Sequence, residues 1–262
     1  MKKVILKTVD LVKFNNFIDS LIPLDEASTI YFKIDQEGIR TDAHNSSGTL
    51  IKSMRMQIGE LCGESNLDNE NLSSPIKLCF YDGNKVKKAF SFLSGGEIKV
   101  EIVYSELDGE YFGETMKVSS PKISLTLDAA DPTLFEFANV PEEKIAQVKD
   151  TSASDCNFKM TANEILQVKK FMDFDSSDEL EFKVNGQVKV CSEGSYSIDI
   201  DEEFEGLNQG GEKSYKLDKK LFRAVDANSY NVYPILDEDK IIFETVDKTM
   251  EVVITLHEEV EL

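Results

Sequence analysis

Asp10–Ile22, DLVKFNNFIDSLI, sets Leu11, Phe14, Phe17, Ile18, Leu21 and Ile22 at the spacings of one helical face, with Lys13, Asn16 and Ser20 opposite. What makes this stretch decisive is that its kind recurs. Asp82–Leu93, DGNKVKKAFSFL, aligns Val86, Ala89, Phe90 and Leu93 and follows the strand-like run Ile76–Phe80. Thr161–Met172, TANEILQVKKFM, opens on Thr161 with Glu164 three residues later, the spacing of a capping box in which two orphan amides are satisfied reciprocally. Asp218–Asn228, DKKLFRAVDAN, follows the strand-like Ser214–Leu217 and carries Leu221, Phe222 and Val225 in one stripe.

Outward from each helix lie three runs rich in β-branched and aromatic residues, split by turn residues. After the first helix they are Thr29–Ile34, Gly38–Asp42 and Thr49–Gln57; after the second, Glu97–Tyr104, Tyr111–Val118 and Lys122–Leu127. After the third they are Glu179–Val184, Gln187–Cys191 and Ser195–Ile200; after the fourth, Asn231–Leu236, Lys240–Val246 and Glu251–Leu256. Asn185-Gly186 and Asp108-Gly109 sit where hairpins need positive φ. The pattern predicts an α+β fold of two domains, each made of two β-α-β-β-β units, with helices on one face of antiparallel sheets. At 262 residues, two domains of ordinary size fit the chain. We place the first at 1–128, a linker at 129–153 and the second at 154–262. The linker region carries Pro132, Pro141, mixed charge and a Thr-Ser-Ala-Ser run from Thr151, without sustained strand alternation.

The chain has 49 acidic against 29 basic residues, a formal charge of −20. Such a field opposes nonspecific adhesion to nucleic acid or to an anionic membrane. The charge is uneven, however. The four helix windows hold nine basic residues (Lys13, Lys85, Lys87, Lys88, Lys169, Lys170, Lys219, Lys220 and Arg223) against six acids. Three of those acids lie at helix starts, where they serve caps and the macrodipole. On the fourth helix Lys219, Lys220 and Arg223 fall opposite the apolar stripe. The second helix approximates this, the first offers only Lys13, and on the third Lys169 falls close to the apolar sector while Lys170 is clear of it. A solvated lysine face accounts for any one helix; its recurrence in an acidic chain weighs against that reading.

Cys62, Cys79, Cys156 and Cys191 are scattered without a C-x-x-C pair and read as free thiols in a reducing compartment, with no disulfide or metal staple required. The N-terminal MKKVILKTVD is too short in its apolar run for a signal sequence, and no segment approaches transmembrane length. The expectation is a soluble, cytoplasmic protein that contacts no membrane.

The order of elements, the strand opening Gly38-Ile39-Arg40 followed by Ala43-His44-Asn45-Ser46-Ser47, and the ending Lys240-Ile241-Ile242-Phe243 then Met250–Ile254 resemble the DNA sliding clamps, the family that includes PCNA. Asp128-Ala129-Ala130-Asp131-Pro132-Thr133 is similar to the corresponding stretch of tailed-phage clamps, which would make the protein viral and its compartment the host cytoplasm. The linker is longer than the connector usual in PCNA. The resemblance implies a DNA-clamp fold closing as a homotrimeric ring around double-stranded DNA, a processivity factor that works with a DNA polymerase and a clamp loader, catalyses nothing and uses no cofactor. In such a ring helices line the hole, so the nine basic residues would face DNA through diffuse phosphate contacts, while the acidic exterior repels it. Ring closure would pair the first domain's last strand, with Ile123, Leu125 and Leu127, against Tyr196, Ile198 and Ile200 of the next chain. Both strands would otherwise be open edges unless covered within the monomer. Family clamps hold short peptides in an apolar pocket beneath the linker. Carried over by position, that pocket uses His44, Thr49, Leu134, Phe135, Phe137, Tyr233, Pro234 and Leu256. Leu134–Phe137 reads equally as a buried strand of its own.

Catalysis finds little in the sequence. His44 and His257 are the only histidines, and neither has a nucleophile or carboxylate at a recognisable spacing. Asp199–Glu205 imitates a calcium loop, but Phe204 stands where the turn needs glycine, so a solvated acidic hairpin is expected and no metal. Gly95-Gly96 and Gly210-Gly211 have no phosphate-loop context. Two other classes stay open: a duplicated β-rich protein-interaction scaffold with no DNA role, and an enzyme whose site the sequence does not display.

Overall fold

A computed structural model describes residues 2–21, 29–45, 47–70, 72–93, 96–134, 141–174, 176–192, 196–200, 204–205 and 213–256. Phe135, Phe137, His257, Gly95 and Gly210-Gly211 lie outside these. The chain divides into two compact units, Met1–Ser46 with Ser53–Pro141, and Ser47–Lys52 with Glu142–Leu262.

The first unit begins with β1 (Lys2–Val9), α1 (Leu11–Leu21), β2 (Ile30–Asp35), β3 (Gly38–His44) and β4 (Leu50–Met56). Asp10 caps α1, its Oδ1 accepting from the amides of Val12 at 3.0 Å and Lys13 at 3.1 Å. The short α2 (Ile58–Leu61) and β5 (Cys62–Ser65), with a 3-10 turn over Leu67–Asn69, are additions that the repeat did not anticipate. Then come β6 (Ile76–Phe80), α3 (Gly83–Ser91), β7 (Lys99–Leu107), β8 (Glu110–Ser119) and β9 (Ser124–Asp128). The sheet runs β4-β3-β2-β6-β8-β7-β1-β5. One edge of β8 takes β6 in parallel at Tyr111–Phe112 and then β9 in antiparallel at Thr115–Ser119. Beyond β8, β9 has no further strand among the described residues. Phe14 of α1 meets Phe90 of α3 at 4.1 Å between ring centroids and Phe32 of β2 at 6.5 Å, which pins both helices to one core.

The second unit opens with α4 (Glu142–Val148), followed by β10 (Asn157–Met160), α5 (Ala162–Phe174), β11 (Glu179–Val184), β12 (Val188–Ser192) and β13 (Tyr196–Ile200). β14 (Phe204–Glu205), β15 (Lys213–Asp218), α6 (Lys219–Phe222), β16 (Tyr230–Ile235), β17 (Lys240–Thr245) and β18 (Met250–Thr255) complete it. One sheet runs β14-β10-β16-β17-β18, with the first residues of β4 beside β18; the other runs β13-β12-β11-β15. Phe182, Phe222, Phe243 and Tyr230 stack through this core at 5.7–6.2 Å between centroids. The capping box of α5 forms as read: Thr161 N–H donates to Glu164 Oε2 at 2.7 Å and Glu164 N–H donates to Thr161 Oγ1 at 3.2 Å. The β-α-β-β-β unit is thus present four times, beginning at β1, β6, β10 and β15.

Two features depart from the sequence reading. The linker region, read only as lacking strand alternation, carries a 3-10 turn at Pro132–Leu134 and the helix α4 at Glu142–Val148. Leu134 is 68% exposed and is no buried strand. The fourth helix is a single turn, capped by Asp218 accepting from Lys220 N–H at 2.7 Å and finished at Phe222. The 3.6-residue period therefore does not carry through it, and Lys219 is 6% exposed, buried rather than opposite the core.

Candidate functional site

The β14-β10-β16-β17-β18 sheet of the second unit has two apolar faces, and strand period makes them. Val232, Phe243 and Val252 are register partners on the core side, whereas Tyr233, Ile242 and Val253 form the row pointing the other way. Ile235, Ile242 and Val253 on that outer face are buried and pack with Ile51 and Tyr233. Lys240 and Glu251 share this phase, and both reach α4. Lys240 Nζ donates to the carbonyls of Val148 at 2.9 Å and Gln147 at 3.5 Å, satisfying the open C-terminal end of the helix, and lies 2.5 Å from Glu238. Lys149 pairs with Glu251 at 2.5 Å. Ile145, buried, is the apolar face that α4 offers.

Beside this helix end lies an open pocket of about 280 Å³ in the second unit. Its floor and walls are Gly48, Thr49 and Ile51 from the start of β4, Gln147 and Val148 from α4, Val253 and Thr255 from β18, and Glu238, Asp239 and Lys240 from the β16–β17 turn. Asp239 adopts the left-handed conformation, with φ of 48°, and its carbonyl accepts from Leu256 N–H at 2.7 Å, which shapes the acidic rim. Such a site suits a peptide with an apolar anchor: concave and largely apolar in its exposed surface, with Glu238 and Asp239 among its lining.

Of the sequence-predicted partner residues, Thr49 lines this pocket and Tyr233 belongs to the apolar cluster on the same sheet face. Pro234 and Leu256 are buried, and Pro234 alternates to the core row, opposite Ile241. His44 is exposed in the first unit, its Nδ1 2.7 Å from Asn45 O. The other lining residues, Gly48, Ile51, Gln147, Val148, Glu238, Asp239, Lys240, Val253 and Thr255, were not among the sequence candidates. Pro141 followed by Glu142 and Glu143 is a helix start that could have revealed α4.

The basic residues also sort by environment. Lys85, Lys88, Lys170 and Lys220 are exposed on α3, α5 and α6. Lys13 donates to Glu60 O at 3.2 Å, Lys87 pairs with Asp19 at 2.5 Å and Arg223 pairs with Asp173 at 2.8 Å. Lys169 Nζ donates to Arg223 O at 3.1 Å and is half-buried, and loss of water there lowers its pKa. Lys169 and Lys219 are therefore structural cations rather than members of an exposed stripe.

On the candidate interface strands, Leu127 and Ile200 point into their own units, at 5% and 6% exposure, while Ile123, Leu125 and Ile198 are half-buried. Only the backbone of Tyr196 is described. β13, paired on one side by β12, is an open edge among the described residues, as β9 is. α5 packs against β13 and ends on Phe174, which is 86% exposed. Among the described residues, no helix is long and apolar enough to cross a membrane.

Two units of this repeat, with open edges at β9 and β13 among the described residues, match solved structures over nearly the whole chain. The chain has the fold of PCNA. It aligns with proliferating cellular nuclear antigen from Entamoeba histolytica over 97% of this chain and 99% of that one, with a TM-score of 0.68 at 13% identity. It aligns with the PCNA of A. fulgidus, solved bound to the C-terminal region of FEN-1, over 98% and 100% of the two chains, with a TM-score of 0.66 at 14% identity. No protein-family model and no curated protein matches the sequence. The PCNA fold is thus formed here at 13–14% identity, which places the weight on pattern rather than on individual residues.

Proposed function

We propose that the protein is a DNA sliding clamp: a ring of three chains that encircles double-stranded DNA, is placed there by a clamp loader and tethers a DNA polymerase. It acts by topology and docking and catalyses no reaction. The observation that carries this reading is the end-to-end likeness to PCNA, with β9 and β13 each open on one side among the described residues. An open edge presents unpaired amides and carbonyls, and a head-to-tail contact between two different edges closes only as a ring. Ile123, Leu125 and Ile198 lie on or beside those edges, and Phe174 extends the apolar surface next to β13. The exposed lysines of α3, α5 and α6 in a chain of −20 support loose, unregistered phosphate contact. The pocket beside α4 supports docking of short apolar-anchored peptides from replication proteins, and the C-terminal region of FEN-1 is bound to the A. fulgidus PCNA of similar fold.

The test is a pair of measurements on the full chain. Light scattering should return three times the chain mass, and the protein should lengthen the products of a polymerase of the same replication system on primed circular DNA. A monomer that leaves product length unchanged would instead make it a protein-interaction scaffold.

A further inference from the structure

Lys52 is a fully buried charged group among the described residues. Its side chain is 0% exposed, yet it carries an ammonium in the middle of β4. It is not orphaned: Nζ donates to Ala224 O at 2.9 Å and to Asp226 Oδ2 at 2.8 Å, both just beyond α6. Burial in water-poor surroundings lowers the pKa of this ammonium, against the pull of the Asp226 carboxylate. Such a pair gains little net stability over an apolar isostere, so stability is a poor reason for it.

Its neighbours supply another. Ser47–Lys52 groups with the second unit although the rest of β4 belongs to the first, and Lys52 is the last residue of that segment. The preceding residues Gly48, Thr49 and Ile51 form one wall of the pocket. Alternation along the strand sends Ile51 to the pocket side and Lys52 to the opposite side, towards the end of α6. On the pocket side the segment is tied by Thr255 N–H donating to Thr49 O at 2.9 Å. We propose that Lys52 is a positioning residue for the docking pocket: its buried bonds to Ala224 and Asp226 anchor the segment that brings Thr49 and Ile51 against β18. The inference rests on the pocket being the docking site, but the wall itself can be tested without any ligand.

The test is residue-resolved amide exchange on the full chain, with wild type compared to Lys52→Met and Asp226→Asn. Lys52→Met keeps the length and apolar stem of the side chain while removing the ammonium. The expected result is exchange about tenfold faster at Thr255 and at residues 50–52, with Ile242 and Phe243 unchanged, because local opening can be freed without global unfolding. Asp226→Asn, which leaves the Ala224 bond in place, should give a smaller change at the same amides. Unchanged exchange at Thr255 would overturn the proposal, and so would uniform acceleration across β17 and β18, which marks a stability role only. If Lys52→Met does not fold, Asp226→Asn decides alone by the same local-against-global comparison. A polymerase C-terminal peptide titrated against the same variants reads the other layer. Weaker binding to Lys52→Met extends the positioning role to docking. Equal binding alongside local loosening removes the pocket from docking and leaves the wall anchored as described.

Discussion

At the scale of single residues, burial controls chemistry that exposure would permit. Cys79 is fully enclosed and its thiol is pushed up to about 12; Cys156 is pushed up to about 11, and Cys62 and Cys191 are raised, in each case chiefly by loss of water around the thiolate. A thiol reagent acts on the thiolate, so at neutral pH the folded protein should be modified slowly at half-buried Cys191, with the other three reacting only after unfolding. Mass-mapped labelling checks this, and rapid labelling of Cys79 in the native protein would contradict its enclosure. The sign for stability follows. These groups hold their protons more tightly when folded, so their contribution is complete below the ordinary thiol pKa of 9.0 and is lost as pH rises towards about 12. Buried Tyr104, Tyr215 and Tyr230, also raised by burial, act in the same direction. Urea titrations should therefore show a falling midpoint above about pH 9. How legible such residues were varies. Lys52 shares the strand phase of Leu50, Met54 and Met56, so its inward direction was written in the alternation. Lys219 was misread because a one-turn helix offers too few residues for period to choose a face.

At the scale of elements, local signals are strongest where one chemical rule acts alone. The box joining Thr161 and Glu164 was legible because both hydrogen bonds need only their three-residue spacing, and both form. Thr161→Ala should cost about 1 kcal/mol of unfolding free energy with no change in oligomeric state, measured by denaturant titration of the assembled protein. The strands were legible through β-branched and aromatic runs between turn residues, as at β11, where Leu180, Phe182 and Val184 alternate inward. The pocket was hardest to read, because it is assembled from four separate pieces of chain and only Thr49 among the expected residues stands in it. α4 escaped because a seven-residue helix with one buried apolar side chain generates almost no periodic pattern. Its place is fixed instead by two lysines, Lys240 and Lys149, acting across the fold.

At the scale of the whole molecule, the proposed ring makes the two edges and the basic helices separable by mutation. Ile198→Lys places a charge on β13 and Phe174→Glu places one beside it, and each should shift the mass in light scattering from trimer towards monomer while circular dichroism stays unchanged. Charge at a strand edge is the device by which proteins block pairing, so loss of assembly without loss of fold is the expected outcome. The lysines should behave in the opposite way. Lys85, Lys88, Lys170 and Lys220 are exposed, so reversing all four to Glu removes no packing and should leave the trimer intact. What changes is the inner field: on the proposed ring these side chains meet phosphate, and each lost contact lowers the salt slope of DNA association by about 0.9. The quadruple variant should therefore load poorly, shorten polymerase products and show a flatter dependence on salt, whereas the Lys219→Met control should leave DNA association unchanged because its parent side chain is buried. An intact trimer whose loading and salt dependence match wild type after the fourfold reversal would assign these lysines to solubility and place the DNA-contacting surface elsewhere on the molecule.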